Sequence, residues 1–195
     1  MNIIEGVIVN DRFLESIAIN LHNEAKEASD GHRFKKIVPS MAFYCFALES
    51  KLLTYGKAIF TVKSEYSRYT NATLQGKFKW LLNRLNTPEC EEIKKHKVTV
   101  LEMVAFRNAL THSKNIDITE ECELTSLELF HDKFVSVFDS EKDFMASSTM
   151  EKLNSFSEVI WILDLVWANY GKKHFNGDFS SLLVSSTRAK VINRN

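Results

Sequence analysis

The sequence predicts a mainly α-helical fold: a bundle of about five helices with a small β-hairpin insert near residues 120–138. Three observations lead there. Gly (6) and Pro (2) are scarce in 195 residues, whereas sandwiches and barrels need many turn residues. Apolar residues recur at three- and four-residue spacing in several segments. Helix start and stop signals bracket those segments. The length fits one domain, read as residues 1–175 followed by a polar tail at 176–195. Hydrophobic residues at 45% and charged residues at 26% exclude disorder as the main state and a disulfide-knit miniprotein.

The first nine residues, MNIIEGVIV, fit either a short strand or a loosely packed arm. A first helix is predicted from about Asn10 to Ser29, with Leu14, Ile17, Ala18, Leu21, Ala25 and Ala28 as one apolar stripe. Asp30-Gly31 reads as its stop. A second helix is predicted from Pro39, a favoured first-turn residue, to about Phe60. Met41–Leu48 is apolar all round, so this helix is expected at the centre of the domain, with Glu49 directly after the run. A shorter helix follows at 74–86.

Thr87-Pro88-Glu89-Cys90-Glu91 is the clearest helix start: Thr87 can cap, Pro88 can take the first helical position, and the acids suit the positive end of the dipole. That helix is predicted to run to about Ser113. Residues 115–147 support two readings. Cys122, Leu124, Leu127, Leu129, Val135 and Val137 partly alternate around His131-Asp132, as in a hairpin. Leu124, Leu127, Phe130 and Phe134 also fit a helix, and the hairpin is preferred. Ser148-Thr149-Met150-Glu151 reads as a capping box. The last helix carries Leu153, Phe156, Ile160, Leu163, Trp167 and Tyr170, and Gly171 is expected to end it.

Lys+Arg and Asp+Glu are both 25, so the net charge is zero. A broadly basic nucleic-acid coat is excluded, though a local basic site is not. The longest apolar run is far short of a membrane span, and no basic stretch precedes an apolar one at the N-terminus. Cys45, Cys90 and Cys122 form no CxxC pair and no even disulfide framework, which fits a cytoplasmic protein. Cys45 itself reads as core packing.

The segment expected to carry chemistry is Arg107-Asn108-Ala109-Leu110-Thr111-His112. Leu101, Val104, Asn108 and His112 step by three, four and four residues, so Asn108 and His112 are expected to continue a core-facing seam as polar groups. Buried polar groups cost free energy unless they find partners. Arg107 and His112 project about 140° apart on a helix, so they converge only across a groove or against a second subunit.

This segment resembles the R-x4-H motif of HEPN domains, including the frequent Asn after the Arg. The context is similar too: a long helix ends in the motif, and an apolar helix with Ala47-Leu48-Glu49 precedes it. The resemblance spans about residues 35–170 at the level of pattern. It implies a small helical bundle that homodimerises with two motifs across a shared cleft. It also implies a metal-independent endoribonuclease without cofactors, acting as a toxin or in phage defence beside a protein antitoxin or regulator.

On that reading the ribose 2′-OH attacks the adjacent phosphate, His112 is the general acid or base, and Arg107 stabilises the charge that builds up. Asn108 orients His112 or the phosphate, and Glu49 holds Arg107 by an ion pair. Some relatives carry a Tyr two residues after the His as the target of an adenylylating antitoxin. This chain has Lys114 there, which instead adds positive charge near a helix C-terminus. Other relatives are not nucleases, so a non-catalytic module binding RNA, a nucleotide or a protein is the alternative.

Remaining features read more plainly. Lys94, Lys95, His96 and Lys97 form a solvated helix face that balances Glu89, Glu91 and Glu92. These lysines lie about 15–20 Å from Arg107, too far for the same phosphate but within reach of RNA further along. The acidic run Thr119–Glu123 reads as a solvated loop, and His22, His32, His131 and His174 have no ligand-like spacing.

Overall fold

In a computed structural model of the chain, residues 2–8, 11–111, 148–174 and 187–193 are described. Among them are seven helices and a two-stranded sheet. The order is β1 (Asn2–Ile8), α1 (Asp11–Glu27), α2 (Asp30–Ile59), α3 (Lys63–Asn71), α4 (Leu74–Leu85), α5 (Glu89–Lys95), α6 (Lys97–Thr111), α7 (Met150–His174) and β2 (Thr187–Asn193). The mainly helical bundle expected from composition and periodicity is therefore present. The expected hairpin near 120–138 lies outside the described residues.

Helix α2 is the hub and touches α1, α3, α4, α6 and α7. Its position follows from its sequence: Met41, Tyr44, Cys45, Ala47, Leu48, Leu52 and Tyr55 are all buried around its circumference. Burying one Leu side chain contributes about 1.5–3 kcal/mol, so such a helix is driven to the centre. From α7, Leu163, Val166 and Trp167 pack inward. Trp167 stacks on Tyr55 with ring centroids 4.1 Å apart, and Phe156 meets Phe106 of α6 edge-to-face at 6.0 Å. Trp161, also on α7, points outward and is 62% exposed.

Several expected boundaries move. Asp30 does not stop a helix but opens α2, and Pro39 stands inside that helix. An interior proline removes a backbone donor and costs about 3 kcal/mol. The early turns offset this by lying along α1: Ile37 is buried, Ser40 Oγ donates to Ala18 O at 2.7 Å, and Lys36 pairs with Glu24.

The single helix expected over 87–113 breaks at His96, whose N–H donates to Ile93 O in a tighter closing turn. Like charges three residues apart at Lys94 and Lys97 favour a break there. Pro88 has helical dihedrals, but Thr87 does not cap the backbone with its side chain; its hydroxyl meets Cys90 Sγ at 3.5 Å. At α7 the cap is Thr149, which accepts from Lys152 N at 3.2 Å, one residue later than the Ser148–Glu151 box. Gly171 does not end α7. It is buried within the last turns, and Tyr170 stacks on His174 one turn on.

Helix α3 has no counterpart in the sequence reading. Its only buried residue is Tyr69, so it shows no apolar stripe. Tyr69 OH donates to Leu52 O at 2.6 Å, and its ring fills the space beside Gly56. A Cβ on Gly56 would sit 2.1 Å from that ring, so only glycine admits the contact. The stretch read as a polar C-terminal tail includes β2, which pairs antiparallel with β1 in the register Asn2 to Asn193 and Ile8 to Thr187. This selects the strand reading for the N-terminal residues.

Candidate functional site

The motif residues Arg107 and Asn108 sit in the last turns of α6, against the middle of α2. Arg107 Nη2 donates to Glu49 Oε2 at 3.3 Å, and Arg107 Nη1 donates to Asn108 Oδ1 at 3.1 Å. Both ends of the guanidinium fork are thus held. Arg107 Nε is buried without a partner. The Arg107 and Glu49 side chains remain 33% and 32% exposed, so the pair stands at the edge of the bundle, in reach of solvent. Thr111 Oγ1 donates back to Arg107 O at 2.9 Å, which ties down the carbonyl end of the helix.

The helices contact again one turn earlier, where Cys45 Sγ donates to Met103 O at 3.3 Å. Burial pushes the Cys45 thiol well above its ordinary value, and the nearby Arg107 charge only partly counters this. Cys45 is therefore a neutral core thiol, as its apolar surroundings suggested.

The expected core seam of α6 is displaced. The buried residues are Val100, Met103 and Phe106, whereas Leu101 is 39% exposed and Asn108 is exposed. Apolar residues surround much of α6, so spacing alone left its rotational phase undetermined. Asn108 is accordingly not a buried amide needing rescue but a surface residue that orients Arg107. His112 and Lys114 lie outside the described residues, as does the acidic run Thr119–Glu123. Lys94 and Lys95 pair with Glu91 and Glu92 at 2.6 Å on an exposed face, as the charge balance suggested.

A second charged cluster, not foreseen in the sequence, lies where α1, α2 and α7 meet. Lys51 is fully buried and its ammonium donates to Glu15 Oε2 at 2.8 Å and to Asp164 Oδ1 and Oδ2 at 2.8 and 2.9 Å. Three donors thus meet three acceptor oxygens. Tyr55 OH donates to Asp164 Oδ1 at 2.6 Å, and Arg12 Nη1 lies 3.3 Å from both carboxylates. Burial, then the adjacent Asp164 charge, holds the Tyr55 phenol well above its ordinary value, so it stays a donor. One signal was available: Lys51 falls three residues after Leu48 on the apolar helix, where a lysine needs buried acids.

Nearby, His22 joins the same three helices: Nδ1 lies 3.2 Å from Tyr44 OH and Nε2 lies 2.9 Å from Asn154 Oδ1. Burial lowers its pKa more than the Asn154 hydrogen bond raises it. Among the described residues, no group of three His, Cys, Asp or Glu side chains is placed to hold a metal ion. No helix among them is long and apolar enough to cross a membrane. Comparison with family models, with curated proteins and with solved structures returns no match.

Proposed function

We propose that this chain is a HEPN-like endoribonuclease, working as a homodimer in a toxin or phage-defence role. The observation that supports it most is the oriented Arg107. A guanidinium clamped at both ends by Glu49 and Asn108, yet one third exposed, is preorganised for a phosphate. His112 follows the end of α6 and supplies the titratable group for attack of the 2′-OH on the adjacent phosphate. The likeness to the R-x4-H motif is the second support. Glu49 acts as a positioning residue and Lys114 as added positive charge.

The test is purified wild type and His112→Ala, each mixed with end-labelled total RNA in excess chelator. A circular-dichroism melt of both confirms folding. The expected result is cleavage by wild type alone, leaving 2′,3′-cyclic phosphate ends. Equal cleavage by both proteins would sink the assignment. A second reading, a non-catalytic module that binds RNA, a nucleotide or a protein, is favoured by one observation: Glu49 already neutralises the Arg107 charge. It predicts altered binding in Arg107→Ala and no cut RNA.

A further inference from the structure

Helix α4 is flanked by two clefts that share Asn83. One, of about 280 Å³, lies between α4 and the α5–α6 junction. Its floor is Phe78, Leu82 and Val100, and its rim carries Lys79, Lys94 and Lys97. The other, of about 490 Å³, lies on the α3 side and is lined by Arg68, Arg84, Glu65 and Trp80 among others. Trp80 is 40% exposed. Lys94 is matched by Glu91, but Lys79, Lys97, Arg68 and Arg84 have no ion pair among the described residues. Five cations face two acids on a protein whose net charge is zero, so positive potential is concentrated here.

We infer that this surface is a track for single-stranded RNA, crossing α4 with phosphates on Lys79, Lys97 and Arg84 and an unpaired base on Trp80. A basic groove with an exposed aromatic platform is the combination that single strands require: charge follows the backbone, and any base has a face to stack. The apolar floor of the first cleft accepts a second base. The track also has a direction. Val100 and Arg107 are seven residues apart on α6, so they face nearly the same side, about 10 Å apart along its axis. A strand in the cleft therefore leads along α6 toward the Arg107 site. The inference deepens the ribonuclease reading and takes the identity of the ligand from it.

The experiment measures binding without cleavage. A labelled 2′-O-methyl single-stranded oligonucleotide, which lacks the attacking hydroxyl, is titrated with full-length protein across a salt series. Wild type is expected to bind it in preference to a duplex of the same sequence. The Lys79→Ala/Lys97→Ala double variant is expected to bind more weakly, with the slope of log K against log salt reduced by about 1.4. Trp80→Ala is expected to bind about tenfold more weakly at an unchanged slope. Lys79, Lys97 and Trp80 are all exposed, and melts confirm folding. A double variant with wild-type affinity and slope would overturn the track. So would a wild type that prefers poly-glutamate, which would make the surface a docking site for acidic protein. Cleavage that depends on His112 while the cleft variants bind normally leaves the nuclease standing and removes the track. Cleft-dependent binding without any cleavage does the reverse.

Discussion

Glu49 and Lys51 are two residues apart on α2, and they serve opposite flanks of the helix. At about 100° per residue they point some 200° apart. Lys51 faces α1 and α7, is fully buried, and has every ammonium donor used. Glu49 faces α6, is one third exposed, and holds an arginine whose Nε has no partner. Both are ion pairs, but they differ in what they leave over. The Lys51 ammonium is sealed in the core and has no donor left over. The Arg107 side chain is one third exposed, and each of its two Nη nitrogens has a second N–H beyond the one it donates to Asn108 or Glu49. Ionic contact alone thus does not separate the two flanks; exposure and unused N–H donors do.

The comparison breaks most visibly at Lys51. Lys51→Ala leaves Glu15 and Asp164 without their central cation and is expected to cost about 3 kcal/mol. Thermal melts at neutral pH check it, and a melting temperature within a degree or so of wild type would erase the distinction between the flanks. Gly56→Ala comes next. Gly56 is seven residues beyond Glu49, on nearly the same side of α2, and an added methyl must displace the Tyr69 ring. The expected cost is about 1–3 kcal/mol in chemical denaturation. It tests whether the α6-side flank also carries structural weight where it is sealed.

Glu49→Gln sharpens the contrast. Its expected effect on stability is about 1 kcal/mol, because the pair is one third exposed and a Gln can still accept the hydrogen bond. Its expected effect on RNA cleavage is a loss of about tenfold or more from a misplaced guanidinium, with Glu49→Asp restoring part of it. A large fall in melting temperature with unchanged cleavage would reverse the roles of the two pairs.

The smallest effect concerns pH. His22, on the closed flank, has a pKa lowered by burial, so the folded state prefers it neutral. The unfolded chain then binds the proton more readily. Stability is therefore full above about pH 6.5 and declines as pH falls below it. Melts of wild type and His22→Gln between pH 7 and 5 are expected to differ in slope, the variant being flatter.

The sequence made the central helix and the Arg107 segment legible because both depend on local pattern. Met41–Leu48 is apolar on every side, and the motif is six consecutive residues. What stayed hidden depends on long-range geometry. The rotational phase of α6 was ambiguous because its apolar residues are not confined to one stripe. Lys51 finds its acids 36 residues before it and 113 after it, a pairing no spacing rule reveals. Pro39 looked like a start because local preference was weighed without the neighbouring α1. Tyr69 was passed over because one buried aromatic makes no periodicity.

The three tryptophans sit in three different surroundings: Trp167 is buried against Tyr55, Trp80 stands in the basic cleft, and Trp161 projects from α7. The molecule therefore carries its own optical reporters. Trp167 emission follows loss of the core, and a soluble quencher reaches Trp161 first. If the proposed track holds RNA, a nucleobase on Trp80 is expected to dim that residue while leaving the emission of the other two in place. Single Trp→Phe replacements separate the signals, so unfolding and ligand occupancy can be followed in the same cuvette without a dye.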